Sequence, residues 1–430
     1  PVSSIWEIID NSIEAESNDI VLRFEWAKPK QGGYKRIEKF IFMDNGYGMD
    51  QKQIYDYFIA TESDKRNKKE GIGKFGVGAY MSGISQAAKC EVYSKTSGGE
   101  WLYTVLEKGA KIPKPTENNP PKKYEVFEYG TIVIWSDTYS HFNDNDVNNE
   151  ESGDNLAFRL GRIYRKFLTD KVVHEGKVID NKNKVSIEIR SGNQNPIDVI
   201  PYDPTFVTFN PKKGDESPRM LSQKVKLITP DQKGSMYVTF SFFPEKWYVN
   251  PDGEFAEKPG LRDVNRKERK IIEAGISLVR ENRELYFGSW PGGPIKIQGT
   301  ESGQGYLSDI DRWVGIEVSF NKDSDEIFGV EFNKTRIIME KFARKKISEV
   351  ISPTINSHRR NYHSVRMQYK AKQGGTGTTG GCGGTGTIHG GIPKPNYTNE
   401  EEKRIKEFAE RYKDDLEDLE EVYQDLLKGY

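Results

Sequence analysis

The chain has 430 residues, 30% of them charged and 35% hydrophobic, with a net charge of −1; this balance fits roughly two or three folded domains and excludes a polycation that binds nucleic acid over its whole surface. No apolar run approaches the ~18 residues of a membrane-spanning helix, so no membrane partner is expected. The only cysteines, Cys90 and Cys382, neighbour neither each other nor a histidine cluster, which argues against a disulfide scaffold or structural zinc and fits an intracellular setting, cytoplasmic in a prokaryote or nuclear in a eukaryote.

The first predicted element is an amphipathic helix over 4–16, with Ile5, Ile8, Ile9 and Ile13 on one side. Strands follow at Ile20–Phe24 and Ile37–Met43, the second ending in the turn signal Asp44-Asn45-Gly46. A helix over 51–60, a polar loop at 61–70, a glycine-rich stretch at 71–78 and a helix over 79–88 come next. Strands are expected at Cys90–Ser94, Trp101–Leu106 and Thr131–Trp135, and a helix over 158–170 closes the first domain. The expected fold class is α+β: an α/β sandwich over 1–175, then a second α+β domain over 176–372. Strands of the second domain are expected at Val185–Ile189, Met236–Ser241, Gly275–Arg280 and Val314–Phe320, with a basic helix over about 336–370. Residues 373–397 are expected to be a Gly/Thr-rich flexible linker. Residues 398–430 are expected to form an acidic helix whose apolar stripe needs a partner, in this chain or another.

Four separated pieces carry chemistry. Glu7 and Asn11 stand at i and i+4, so they share a helix face; a carboxylate there can accept a proton from water, and an amide oxygen is a hard ligand suited to Mg²⁺, with a solvated surface pair as the competing reading. Asp44-Asn45-Gly46-Tyr47-Gly48-Met49 holds a carboxylate at a strand end beside two glycines, where it can accept from an exocyclic amine of the kind adenine presents; an ordinary turn is the competing reading. Gly71-Ile72-Gly73-Lys74-Phe75-Gly76-Val77-Gly78 opens a helix and frees backbone N–H groups to cup phosphates; a hinge is the competing reading, and no Gly-Lys-Ser/Thr ends it as in a Walker A loop. Gly130-Thr131 leads a strand.

In this order these pieces resemble the GHKL (Bergerat-fold) ATPase superfamily, over about residues 4–136. The string 72–78 looks like the lid of the ninety-kilodalton heat-shock chaperones, and Ile9-Asp10-Asn11-Ser12-Ile13-Glu14-Ala15 resembles the first motif of MORC and MutL proteins. The resemblance implies that Glu7 activates the attacking water and that Asn11 holds Mg²⁺. It implies that Asp44 binds the adenine amine, partly through a water shared with Thr131, with Gly46, Gly48 and Met49 against the base. The lid residues Gly71, Gly73, Lys74, Phe75, Gly76, Val77 and Gly78 would contact phosphates.

The second domain is similar to the transducer-like, ribosomal-S5-like domain of MORC proteins, at Gly275–Leu285 with its Asn-Arg turn and at Val314–Val318 followed by Phe332-Asn333-Lys334-Thr335. Lys334 is the candidate cation for the γ-phosphate, with a surface lysine as the alternative. The resemblance implies slow Mg²⁺-dependent ATP hydrolysis and an ATP-dependent homodimer. DNA is a candidate partner through the basic region 341–372, where His358, Tyr362, His363 and Tyr369 lie among lysines and arginines; a solvated helix face is the competing reading. The functional classes left open are a MORC-like DNA-clamping ATPase, a chaperone-like ATPase acting on protein, and the motor subunit of a larger complex.

Overall fold

Ile5, Ile8 and Ile9 recur at helical spacing and are fully buried, while Glu7 and Asn11 on the adjoining face are half-buried. That pattern produces α1, Val2–Glu14, and burying each such isoleucine contributes roughly 1.5–3 kcal/mol. The computed structural model describes residues 2–27, 36–58, 78–139, 147, 155–208, 217–229, 233–249, 274–288, 307, 309–330, 339 and 341–373. All lie in the unit Pro1–Gly375. The expected glycine-rich linker, from residue 374 onward, and the acidic tail fall outside the described residues.

After α1 the chain forms β1 (Asp19–Trp26), β2 (Ile37–Asp44), α2 (Gln51–Asp56), α3 (Gly78–Gln86), β3 (Ala87–Lys95), β4 (Leu102–Glu107), β5 (Thr116–Glu117) and β6 (Gly130–Thr138). Asp50 begins α2 with a capping box: its carboxylate accepts from the Gln53 N–H, and the Gln53 side chain accepts from the Asp50 N–H. Next come α4 (Leu156–Ile163), α5 (Arg165–Leu168), the hairpin β7 (Lys171–His174) and β8 (Lys177–Asp180), β9 (Ser186–Ser191) and β10 (Ile197–Asp198).

The first sheet has eight strands in the order β10-β9-β1-β2-β6-β3-β4-β5. Strand alternation gives it two apolar faces. Phe40, Phe42, Val92, Val133 and Trp135 join the core under α1 and α3, whereas Ile41, Met43, Tyr93, Ile132 and Ile134 pack on the other face with Trp101 and Tyr124.

Two expectations are corrected here. The helix expected over 158–170 is broken at Tyr164, whose hydroxyl is held by α1 at the Trp6 carbonyl (3.0 Å) and Asp10 (2.8 Å). The strand near 185–189, expected to open the second domain, is β9 of the first sheet. It pairs in parallel with β1, from Asp19 opposite Ser186 to Phe24 opposite Ser191.

The second region contains β11 (Arg219–Ile228), β12 (Lys233–Phe242), α6 (Glu245–Tyr248), β13 (Ile276–Arg280), β14 (Arg283–Gly288), β15 (Val314–Phe320), α7 (Asp325–Phe328) and α8 (Lys341–Gln373). Its sheet order is β11-β12-β15-β13-β14, with β13 and β15 parallel. Ala343, Ile347, Ile351 and Ile355 of α8, four residues apart, pack into the core formed by Val238, Phe240, Leu278, Ile316 and Val318. Mixed sheets covered by helices in both regions give the α+β class read from the sequence.

Candidate functional site

The site grows from strand register. Asp44 at the end of β2 stands opposite Thr131 of β6, and Thr131 stands opposite Ser94 of β3. The three side chains therefore form one polar row across the sheet, on the face that carries Phe42, Val133 and Val92 two residues earlier or later. All three are buried. The Ser94 and Thr131 hydroxyls are 3.0 Å apart, and Ser94 lies 3.1 Å from the Gly130 carbonyl, to which it donates.

The loop after β2 is fastened to this row. The Met49 N–H donates to the Ser94 hydroxyl at 2.8 Å, and the Gly46 N–H donates to Asp44 Oδ1 at 3.0 Å. Asn45 ties the same loop to the connection between α1 and β1. Its amide oxygen accepts from the Ser17 hydroxyl and from the Asn18 and Asp19 N–H groups, and its amide nitrogen donates to Asn18 and Asp19. Two glycines are required by this packing. Gly48 has φ +74°, and a Cβ there would lie 2.1 Å from the Lys95 carbonyl oxygen; Gly130 has φ +123°, and a Cβ would lie 1.9 Å from the Asp44 carbonyl oxygen. In both cases the close neighbour is protein backbone, so chain packing alone accounts for the glycine.

α1 supplies the opposite wall. The Ser12 hydroxyl donates to Asp44 Oδ2 at 2.8 Å, which fixes α1 against the end of β2. The row Ile8–Ser12 thus faces Asp44, and Glu7 and Asn11, each one residue earlier, form the adjoining half-buried row. Burial pushes the Asp44 carboxyl up to about 6, against the opposing effect of the bonds from Ser12 and Gly46. A buried carboxylate with acceptor capacity left over is suited to a ligand that donates hydrogen bonds.

Tyr57, just after α2, is a site residue the sequence reading missed. Its hydroxyl is buried and has no hydrogen-bond partner among the described residues. Burial first, then Cys90, Asp44 and Glu7, push its pKa well above the usual tyrosine value. The negative charges of Asp44 and Glu7 both add to the effect of burial on this hydroxyl. A lone tyrosine after a short helix gives no sequence signal for this.

The remaining expected residues are placed as follows. Asp44 and Thr131 belong to the polar row, Gly46, Gly48 and Met49 to the loop that follows Asp44, and Glu7 and Asn11 to the half-buried row of α1 next to Ser12. Gly78 is the first residue of α3, which packs on α1. Gly71, Gly73, Lys74, Phe75, Gly76, Val77 and Lys334 lie outside the described residues. Among the described residues no cluster of three His, Cys, Asp or Glu could hold a metal, and no helix is long and apolar enough to cross a membrane.

In α8 two of the four aromatic or histidine side chains set among the basic residues are turned into the core. His358 and Tyr362 are buried, with ring centroids 3.8 Å apart, against Phe242 and Tyr248. Burial drives the His358 pKa down to about 3. Arg359 is also committed, holding both oxygens of Asp311 through Nε at 2.8 Å and Nη2 at 2.6 Å. Lys341, Lys345, Arg360 and Lys372 are exposed.

A family model described as histidine kinase-, DNA gyrase B- and HSP90-like ATPase matches residues 2–129. The matched stretch runs from α1 to the residue before β6 and takes in the loop after Asp44. The match supports ATP binding by this part of the chain. No curated protein matches the chain.

Proposed function

We propose that the chain is a Mg²⁺-dependent ATPase that hydrolyses ATP slowly in the space bounded by α1, the end of β2 and the Asp44-Thr131-Ser94 row. The observation that carries this reading is Asp44. A carboxylate is kept buried at a strand end, braced by Ser12 and Gly46, with its pKa raised to about 6. Such a group is costly unless a partner uses it.

Asp44 accepts a hydrogen bond from the adenine amine, with Thr131 sharing a water and Met49 lying against the base. Glu7 orients and deprotonates the attacking water. The Asn11 amide oxygen, a hard neutral ligand, would hold Mg²⁺. Mg²⁺ bound there supplies charge neutralisation on the phosphate oxygens. The backbone N–H groups of Gly71–Gly78 hold phosphates, and Lys334 adds positive charge at the γ-phosphate.

ATP binding closes the lid and joins two protomers, whose contact loosens after hydrolysis. The role we favour is a MORC-like ATPase that clamps DNA through phosphate contacts from Lys341, Lys345, Arg360 and Lys372. The second reading is a chaperone-like ATPase acting on protein, or the motor of a larger complex. It gains weight from the burial of His358 and Tyr362, which removes two stacking platforms from the helix.

The test is ATP turnover by wild type and Glu7→Ala, with and without double-stranded DNA. Glu7→Ala should retain nucleotide and lose about 100-fold or more in turnover, and salt-sensitive stimulation by DNA should separate the first role from the second. Normal turnover in Glu7→Ala refutes the assignment of the base.

A further inference from the structure

Asp10 is a carboxylate in the helix that carries Glu7 and Asn11, and it is only 1% exposed. A charge so placed needs partners. They come from elements distant in sequence: the Tyr164 hydroxyl donates to Asp10 Oδ1 at 2.8 Å, and Arg283 Nε of β14 lies 3.2 Å from the same oxygen. Tyr164 stands at the break between α4 and α5, and Arg283 begins a strand of the second sheet. The turn before it, Glu281-Asn282, has φ +47° and +66°, the geometry of a tight hairpin that sets Arg283 and Glu284 side by side at the strand start.

The two residues grip the first region at different places. Glu284 accepts from Arg162 Nε and Arg165 Nη1, both at 2.8 Å, while Arg283 reaches α1. Arg283 is 2% exposed, and its Nε and Nη1 lack well-directed hydrogen-bond acceptors. Burial opposes its charge, while the charges on Asp10 and Glu7 and a side-chain bond with Tyr164 favour it.

We infer that Arg283 is a positioning residue: by holding Asp10 it fixes the helix that presents Glu7 and Asn11, and it makes the rate of hydrolysis depend on where the second sheet sits. This rests on the ATPase reading above. Arg283 acts on α1 at Asp10, whereas Asp44 and Thr131, assigned above to the base, sit with Ser94 on the first sheet, so nucleotide affinity and hydrolysis respond differently to its loss. Asp10 lies three residues after Glu7 and directly before Asn11, so a small rotation of α1 misaligns both. A displacement of about 1 Å in a catalytic group costs roughly 100-fold in rate.

The experiment measures affinity for a non-hydrolysable ATP analogue and the single-turnover rate at saturating ATP. The proteins are wild type, Arg283→Met, Arg283→Lys, Asp10→Asn and the double variant Arg283→Met/Asp10→Asn. Arg283→Met should slow hydrolysis about 10- to 100-fold with affinity kept within about threefold. Arg283→Lys should recover part of the rate, because it restores a charge. The double variant should be no slower than the slower single variant, as expected for two members of one contact. Arg283→Lys keeps the test open if Arg283→Met does not fold. Loss of affinity in parallel with rate, or an unchanged rate in every folded variant, overturns the inference while leaving the ATPase reading intact if wild type turns over. A wild type that neither binds nor hydrolyses ATP overturns both.

Discussion

Replacing Asp44 by Asn should strengthen the fold while weakening the binding of nucleotide. In the folded protein burial raises the carboxyl pKa from 3.8 to about 6; ionising it there costs ~3 kcal/mol of stability, on the order of 1.4 kcal/mol per tenfold. The raised pKa fixes the sign. The stabilising contribution is present below the unfolded value and is lost as pH rises through about 6. Asn carries no charge, so Asp44→Asn should melt higher than wild type at pH 7.5, with the gain shrinking to nothing by about pH 4.

Binding should move the other way. The substitution turns a charged acceptor into an amide whose nitrogen faces a donor, a loss of ~2–4 kcal/mol, or about 30- to 1000-fold in affinity. Wild type itself should bind an ATP analogue roughly tenfold more weakly at pH 5 than at pH 7.5, and the variant should not share that dependence. Thermal melting across pH and calorimetric titration with the analogue read the two effects. A variant that is less stable at pH 7.5 and binds normally refutes the assignment of Asp44 as a costly acceptor kept for ligand.

Gly48→Ala should lose at least ~2–3 kcal/mol in urea unfolding, because φ +74° is strained for alanine and its Cβ would meet the Lys95 carbonyl oxygen at 2.1 Å; a loss below ~1 kcal/mol contradicts the packing described. Glu317 accepts from Arg165 Nη2 at 2.8 Å and Lys166 Nζ at 2.6 Å in a buried cluster, so Glu317→Ala should cost ~3–5 kcal/mol by the same assay, chiefly because buried Lys166 loses its carboxylate while Arg165 keeps Glu284 and Asp203. His358, held near pKa 3 by burial, stabilises the fold fully above pH 6.5 and progressively less as pH falls toward 3. Between pH 7.5 and pH 5 wild type should therefore lose ~2 kcal/mol that His358→Phe retains, and equal acid sensitivity in the two proteins counts against it.

The parts of the fold with local signals were legible in the sequence. α1 follows from Ile5, Ile8 and Ile9 at helical spacing, and Asp44 from an apolar strand that stops at Asp-Asn-Gly. Ser94 was not legible as a site residue. Its place beside Thr131 is set by the register of strands 37 residues apart, which no single serine reveals. The same holds for β9, whose parallel pairing with β1 spans most of the first region, and for Asp10, whose partners Tyr164 and Arg283 are fixed only by tertiary packing. The burial of His358 and Tyr362 did have a signal. Ile351, Ile355, His358, Tyr362 and Val365 continue one core stripe at spacings of four and three, although basic residues surround them.

The most direct test of the central claim is a structure determined with Mg²⁺ and a non-hydrolysable ATP analogue. The account predicts the adenine amine within hydrogen-bonding distance of Asp44, the metal on the Asn11 amide oxygen and Glu7 facing the γ-phosphate. A nucleotide bound elsewhere, with Asp44 and Asn11 touching neither base nor metal, contradicts it.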